Sequence, residues 1–202
     1  LIIDNAYGKP FPGAIFTDAT PIWDDHVILT LSLSKLGLPG TRTGIIIASE
    51  IITRAISAMT AVVGLANNNV GQALALPLLE NGEIIRISND IIRPFYRDRA
   101  EHARKSAARA FGDSTPYRIH ATEGAFFLWF WFPGLPISSS ELYRRLKQRD
   151  VLVVPGEYFF FGLKQPWQHS NECIRVTFSQ PLETVTDGIH IIAEEVSKAY
   201  RE

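Results

Sequence analysis

One lysine at the end of an apolar run constrains this chain more than any other feature of the sequence. His26–Leu33 is a run of mostly strand-forming residues, and Gly37, Pro39 and Gly40 follow it as a turn. Lys35 lies between the run and the turn, so the pattern places it at the mouth of a sheet. A solvated surface position is the ordinary alternative, because lysine is mostly exposed in proteins.

The residues around Lys35 are of the types that bind a phosphate group. Ser32 and Ser34 supply hydroxyls, the glycine-rich turn supplies backbone N–H groups, and Arg42 supplies a guanidinium. A lysine beside fixed positive charge loses its proton more easily, and the neutral amine can attack a carbonyl carbon. A nucleophilic lysine next to a phosphate site suggests pyridoxal phosphate as the cofactor.

Two segments resemble a known family. Residues 32–44, Ser-Leu-Ser-Lys-Leu-Gly-Leu-Pro-Gly-Thr-Arg-Thr-Gly, resemble the lysine segment of the class I and II aminotransferases, which are fold-type I pyridoxal-phosphate enzymes. Residues 3–13, Ile-Asp-Asn-Ala-Tyr-Gly-Lys-Pro-Phe-Pro-Gly, narrow the resemblance to transaminases that exchange an amino group between valine and pyruvate. The resemblance extends from Leu1 to about Tyr200. It implies an α/β fold, the C-terminal half of a fold-type I transferase, with part of the large-domain sheet and a small α+β C-terminal domain.

The resemblance also implies a role for each candidate site residue. Lys35 would attach the cofactor covalently and then act as the general base that moves the substrate proton. Asp4 would pair with the pyridine nitrogen, and Tyr7 would hydrogen-bond the phenolic oxygen of the cofactor. Three side chains would bind the phosphate: Ser32, Ser34 and Arg42.

Asp4 and Arg175 each have an ordinary structural alternative. Asp4 follows Leu1–Ile3, which is typical of the end of a buried parallel strand, where open α/β sheets bind ligands. Taken by itself, Asp4 is equally compatible with a turn aspartate. Arg175 interrupts the apolar strand Ile174–Phe178, where an internal salt bridge would be the usual reason for a guanidinium. The resemblance implies instead that Arg175 binds the α-carboxylate of the substrate through its planar fork.

Further elements are predicted after the lysine segment. Gly44–Ala48 is typical of a strand buried on both faces. Ser49 can cap a helix whose apolar residues, spaced by four, three and four, should form a core stripe: Ile52, Ile56, Met59 and Val63. Asn67, Asn68 and Asn69 interrupt that pattern and favour a turn.

A long helix from about Ile84 to Phe111, kinked at Pro94, is predicted to separate two domains. We expect residues 1–88 to belong to the large cofactor-binding domain, residues 89–112 to be the interdomain helix, and residues 113–202 to be the small domain. The small domain should contain strand, helix, strand, strand and helix: Phe126–Phe132, a helix capped by Ser138 and Glu141, Val151–Val154, Ile174–Phe178, and a last helix from Val185 to Tyr200. Val154–Phe159 resembles the family segment that closes near the substrate, although the aromatic run from Tyr158 to Phe161 is equally compatible with core or dimer contact.

Charge and composition limit the partners. Lys+Arg 20 and Asp+Glu 21 leave a net charge of -1, so we expect neither a nucleic-acid nor a membrane partner. The apolar run Ala125–Phe132 is far shorter than the roughly 20 residues that span a bilayer. Cys173 is the single cysteine, which fits a cytoplasmic protein, and it shows no metal-ligand spacing with the five histidines. The expected partners are small amino acid and 2-oxo acid substrates, with a homodimer implied by the resemblance.

The beginning of the chain and its function leave alternatives. The chain starts with Leu1 inside an apolar strand pattern, and the enzymes it resembles are longer, so we expect it to be the C-terminal half of a longer enzyme. Another fold-type I enzyme, such as a lyase or an aminocyclopropane-carboxylate-synthase-like protein, is also possible, because Gly-Leu-Pro-Gly occurs in such relatives. A non-catalytic aminotransferase-like regulatory domain is the other alternative.

Overall fold

A computed structural model of the protein describes residues 1–65 and 69–202, which form two compact units, Leu1–Phe95 and Tyr96–Glu202. The division falls inside the segment 89–112 that the sequence predicts to connect two domains. The boundaries 1–88, 89–112 and 113–202 themselves stay a prediction. Asn67 and Asn68, for which a turn was predicted, lie outside the described residues.

The first unit is built on a three-stranded sheet. Its strands are β1 (Ile2–Asp4), β2 (Ile28–Ser32) and β3 (Gly44–Ile47), in the order β1-β2-β3. β1 pairs with β2 in parallel, and β2 pairs with β3 in antiparallel orientation. The central strand β2 alternates buried and half-buried residues, as a strand with one covered face should. The core beneath it is apolar: Phe11, Leu31, Leu33, Leu36, Ala75 and Ile84.

The two outer strands are less buried than the sequence suggests. Leu1 and Ile2 are exposed, and so are Ile46 and Ile47 at the end of β3. The expectations of a buried first strand and of a β3 buried on both faces are therefore wrong. Each of these strands has one hydrogen-bonded neighbour in the sheet. An apolar strand is buried only where other residues pack on its faces, and its composition does not show whether they do.

A series of helices follows β3. They are α1 (Glu50–Gly64), α2 (Val70–Glu80), α3 (Glu83–Ile87), a π-helical turn (Ser88–Ile92) and α4 (Arg93–Phe111). The long helical stretch predicted from Ile84 to Phe111 is thus present, and its irregularity is the π-helical turn. This turn ends two residues before Pro94, whose missing N–H group leaves an upstream carbonyl without its helical partner.

Helix α1 does not bury the apolar stripe predicted for it. None of its residues is buried, and Met59 and Val63 are 59% and 81% exposed. Ser49 occupies the N-cap position, but its side chain makes no capping hydrogen bond. The spacing correctly indicates an amphipathic helix, but the period of a pattern shows only where the apolar side lies, and burial requires a second surface.

The second unit contains an antiparallel sheet of four strands: β4 (Arg118–Ile119), β5 (Phe127–Trp131), β6 (Val154–Pro155) and β7 (Cys173–Thr177). Their order in the sheet is β4-β5-β7-β6. Its helices are α5 (Ser139–Lys147), α6 (Gln168–Asn171) and α7 (Leu182–Ala199). This arrangement confirms the predicted small α+β layer, to which β4 and α6 are additions.

The two faces of this sheet differ. Leu128 and Phe130 of β5 are buried in the core, together with residues of the helices. The alternate residues of β5, Phe127, Trp129 and Trp131, are half-buried. They lie on the opposite face, directly across from Thr177, Arg175 and Cys173 of β7. We call this side of the sheet the aromatic face.

The strand predicted at Val151–Val154 is shorter and begins later than expected. Val151 donates its N–H to the carbonyl of Leu146 at 3.0 Å, which closes the last turn of α5. Asp150 adopts a left-handed backbone with φ 60° in that turn. Val151 therefore belongs to the end of α5, and the hydrogen-bonded pairing of β6 with β7 starts only at Val154.

Helix α5 begins where the sequence predicts. The Oγ atom of Ser138 accepts the N–H of Glu141 at 3.1 Å. The carboxylate of Glu141 does not complete a capping box, because it accepts hydrogen bonds from Arg144 and Arg145 instead. The hydrogen bond from Arg144, followed by that from Arg145, lowers the pKa of Glu141 to about 2.

Removal of this cap gives a direct test of the helix start. We expect Ser138→Ala to lower the free energy of unfolding by about 1 kcal/mol, because the Glu141 N–H loses its acceptor. Ser138→Asp should retain most of the stability, since aspartate caps equally well. Urea unfolding of the three proteins measures this, and an equal loss in both variants would contradict the capping role.

Candidate functional site

The parallel pairing of β1 and β2 brings the ends of both strands to one edge of the first sheet. Asp4, the last residue of β1, is in register with Thr30 of β2, and Thr30 Oγ1 lies 3.5 Å from Asp4 Oδ1. Ser32 is the last residue of β2. The predicted position of Asp4, at the C-terminal end of a parallel strand, is confirmed.

Lys35 follows β2 in a short 3₁₀ helix, Ser34–Leu36. Leu33 and Leu36, on either side of it, are buried in the core of the first unit, which anchors this turn. Lys35 itself is half-buried, and its Nζ atom lies 5.5 Å from the centre of the Tyr7 ring. The structure therefore brings Tyr7 and Lys35 together from segments 28 residues apart.

Arg42 contacts the turn that contains Lys35. Its Nη1 atom donates to Ser34 Oγ and to the carbonyl of Pro39, both at 3.4 Å. Ser32 Oγ in turn accepts the N–H of Ser34 at 3.2 Å. Arg42 forms no ion pair with another residue in the described parts of the chain. The exposed guanidinium of Arg42 thus contacts the hydroxyl of Ser34, the residue before Lys35 in the sequence, and no described carboxylate neutralises the charge of Arg42. This arrangement suits an anion such as a phosphate.

Asn5 is a buried residue of this region that the sequence reasoning missed. Its N–H donates to the carbonyl of Thr30 at 2.9 Å, which continues the β1–β2 pairing beyond Asp4. Its side-chain Nδ2 donates to the carbonyl of Lys9 at 2.6 Å. A Cβ on Gly8 would lie 1.9 Å from Asn5 Oδ1, so glycine makes room for this side chain. Asn5 therefore fixes the turn that contains Tyr7.

Gly71 of α2 is a second residue that the sequence reasoning missed. A Cβ at this position would lie 1.8 Å from Thr43 Oγ1 and 2.8 Å from Thr41 Cβ. Thr41 and Thr43 flank Arg42 in the sequence, so the first turn of α2 packs against the residues on both sides of the arginine. A glycine inside a helical pattern is the signal that could have indicated this close approach.

Arg175 lies at the centre of the aromatic face of the second unit, opposite Trp129 and Val154 in the strand register. Its guanidinium carbon lies 4.1 Å from the centre of the Phe127 ring and 4.7 Å from that of Phe159. Its Nε atom is buried and has no hydrogen-bond partner. Within residues 1–65 and 69–202, Arg175 forms no ion pair, so the internal salt bridge considered as its alternative role is not seen there.

Phe159 reaches Arg175 from a short 3₁₀ helix, Gly156–Phe159, that follows β6. Gly156 packs so closely on β7 that a Cβ there would lie 2.6 Å from both the Cβ and the carbonyl oxygen of Cys173. The ring of Trp129 packs edge-on against Phe159, with centroids 5.2 Å apart and an interplanar angle of 86°. The packing of Gly156 on β7 and the contact with Trp129 of β5 thus determine the position of the Phe159 ring.

The remaining candidate chemistry near the aromatic face is limited. The Sγ atom of Cys173 lies 3.5 Å from Nε2 of His169, but the described residues contain no group of three potential metal ligands. Burial raises the pKa of the Cys173 thiol to about 11, so it is protonated at neutral pH.

Among the helices of the described ranges, none has the length and apolar character required to cross a membrane.

Comparison with known proteins identifies similar chains. The family model described as aminotransferase class I and II matches residues 1–192. The chain is 45% identical over 202 residues to the valine–pyruvate aminotransferase of Escherichia coli (strain K12), and the match covers 100% of this chain and 48% of that protein. The chain therefore spans about half the length of this curated relative.

Two crystal structures are similar over the whole chain. One is a putative amino-acid aminotransferase from Psychrobacter arcticum 273-4, with 50% identity and a TM-score of 0.96, of which 46% is covered. The other is the valine-pyruvate aminotransferase from Salmonella typhimurium LT2, with 44% identity and a TM-score of 0.94, of which 52% is covered. The α/β fold expected from the sequence, the C-terminal half of a fold-type I aminotransferase, agrees with these matches.

The packing behind Arg42 can be tested at Gly71. We expect Gly71→Ala to lower the free energy of unfolding by about 1–3 kcal/mol, because the new methyl group overlaps Thr43 and Thr41. Hydrogen exchange of the amides in residues 39–43 should become faster in the same variant. Gly40→Ala is the matched control, since a Cβ there meets no atom within 4 Å. Equal behaviour of the two variants would show that α2 does not support the turn.

Proposed function

This chain belongs to the class I and II aminotransferase family, and from this premise we propose that the complete protein is a pyridoxal-phosphate-dependent transaminase. The proposed reaction exchanges an amino group between valine and pyruvate and gives 2-oxoisovalerate and alanine. The main support is the grouping of Lys35 with Tyr7, Ser34 and Arg42 at one edge of the first sheet. Similarity to the valine–pyruvate enzymes supports the choice of substrates.

The residues at this edge suit pyridoxal phosphate chemically. The hydroxyls of Ser32 and Ser34 and the guanidinium of Arg42 match its phosphate, and the amine of Lys35 matches its aldehyde. The carboxylate of Asp4 matches the protonated pyridine nitrogen. When bound, the cofactor supplies an electron sink that stabilises negative charge at the substrate Cα.

The family resemblance implies a role for each residue, and its chemistry is compatible with that role. Lys35 would hold the cofactor through its amine, and its Nζ atom would accept the proton from the substrate Cα. Asp4 would keep the proton on the pyridine nitrogen, and Tyr7 would donate a hydrogen bond to the phenolic oxygen. Arg42 with Ser32 and Ser34 binds the phosphate and so fixes the position of the reacting atoms.

Arg175 is proposed to bind the substrate α-carboxylate. Its guanidinium is held against aromatic rings and forms no ion pair in the described residues, so its charge is available to a ligand. A planar fork can form two parallel hydrogen bonds to a carboxylate, which fixes the orientation of the amino acid.

We also propose that the complete protein acts in the cytoplasm as a homodimer. The free Cys173 supports the cytoplasmic location, and the family resemblance supports the homodimer.

The lysine assignment predicts the effect of its removal. We expect Lys35→Ala in the complete protein to lower kcat by at least about 10²–10⁴, because the general base is lost. The visible absorbance of the covalently attached cofactor should disappear as well. Lys35→Arg is the matched control, because it keeps the positive charge but has no amine to attach the cofactor. Near-normal turnover in either variant would exclude Lys35 from the reaction.

Product analysis separates the proposed reaction from its alternatives. The proposal requires alanine and 2-oxoisovalerate to form in equal amounts from valine and pyruvate. A lyase would release ammonia or a thiol and form no alanine. A regulatory domain would bind the cofactor or an amino acid without turnover.

The arginine assignment predicts a defect in substrate binding alone. We expect Arg175→Lys to raise KM for valine about 10- to 100-fold, because a single ammonium cannot replace two charged hydrogen bonds. Cofactor binding, measured by absorbance after dialysis, should not change. Loss of the cofactor in place of this KM effect would show that Arg175 has been assigned to the wrong ligand.

A further inference from the structure

We infer that Phe159, together with Phe127, is a positioning residue that holds the guanidinium of Arg175 ready for the substrate carboxylate. This inference rests on the proposed function, because it depends on Arg175 binding that carboxylate. It adds a role for two aromatic residues and a reason for the aromatic composition of this face of the sheet.

The first observation is how the charge of Arg175 is stabilised. Arg175 is half-buried, and a guanidinium partly removed from water usually pairs with a carboxylate, because desolvation of an unpaired charge is unfavourable. In the described residues no carboxylate performs this role, and Nε is buried without an acceptor. The faces of two aromatic rings, 4.1 Å and 4.7 Å from the guanidinium carbon, attract the cation instead.

This difference matters for ligand binding. A protein carboxylate on Arg175 would neutralise the guanidinium and would have to be displaced by the substrate. An aromatic ring stabilises the cation through its quadrupole and leaves the hydrogen-bond donors at the edge of the guanidinium unused. Aromatic support therefore keeps the arginine oriented while its charge stays available to an incoming carboxylate.

The second observation is that the two rings come from different elements. Phe127 belongs to β5 and is part of the sheet itself, whereas Phe159 is supplied by the short 3₁₀ helix after β6. Trp129 packs edge-on against Phe159 and lies opposite Arg175 in the strand register. Phe159 is 37% exposed, so its ring is not fully committed to the core. These contacts favour a local role beside Arg175 over general core packing.

The test uses the complete protein and a carboxylate that cannot react. The probe is 3-methylbutanoate, which has the carbon skeleton of valine without the amino group and so reports on carboxylate binding. We expect Phe159→Leu to raise the inhibition constant of 3-methylbutanoate and KM for valine by about five- to tenfold, with kcat changed less than about twofold. Phe159→Tyr should stay within about twofold of the unchanged protein, because it keeps the aromatic face.

Phe161→Leu is the matched control, since Phe161 lies in the same segment and is 88% exposed. An equal effect of Phe161→Leu and Phe159→Leu would overturn the inference, because it would indicate general loosening of the segment. Phe127→Leu provides a second test on the sheet and decides the matter if Phe159→Leu does not fold. It should also raise the inhibition constant, by a similar factor.

The outcomes separate this inference from the proposed function. If Arg175→Lys weakens 3-methylbutanoate binding while Phe159→Leu and Phe127→Leu do not, the positioning role is wrong and the arginine assignment stands. If Arg175→Lys itself leaves the inhibition constant unchanged, Arg175 does not bind the carboxylate and the proposed function loses that residue.

Discussion

The parallel pairing of β1 with β2 is the interaction on which the proposed site depends. A stretch of more than twenty residues separates the two strands, so their register is a long-range constraint that local propensity does not set. It places Asp4 beside Thr30 and lets Asn5 continue the pairing, which fixes the turn containing Tyr7. The end of β2 then leads directly into the helix of Lys35. A slip of one residue would turn Asp4 to the other face of the sheet.

The two arginines assigned to anion binding differ from Arg145 in the groups that they contact. Arg145 contacts the carboxylates of Glu141 and Glu202, which neutralise its charge. Arg42 contacts a hydroxyl and a carbonyl, and Arg175 lies against aromatic rings. Neutral partners fix the direction of a guanidinium and preserve its charge, which is the combination that recognition of a phosphate or carboxylate requires.

Local patterns predicted the places of several strands, turns and helices well and predicted the burial of others poorly. The apolar run before Lys35, the glycine-rich turn and the cap at Ser138 are short-range signals, and the structure has a strand, a turn and a helix start at these places. The burial expected for β1, β3 and α1 was wrong, because a period in the sequence identifies an apolar side without identifying what covers it. The types of residue around Lys35 and their closeness in the sequence indicated the grouping of Arg42 with Ser34, whereas the place of Lys35 beside Tyr7 depends on strand pairing.

The role of Gly71 and the contact of Phe159 with Arg175 were missed for a related reason. Each acts through a contact with a remote segment, Gly71 with Thr41 and Thr43, and Phe159 with Arg175. Their own neighbours in the sequence contain no sign of those partners. Glycine within a helix and a phenylalanine after a turn are common in proteins, so such residues acquire meaning only when the distances between elements are known.

The exposed apolar side of α1 has a consequence for how this part of the protein folds. A helix of 15 residues gains little stability in water from its backbone alone and depends on packing of its apolar face. Because none of its residues is buried, α1 receives little of that packing from the described residues. Any surface that covered its apolar face would stabilise the helix, so the helical content of α1 would report such a contact.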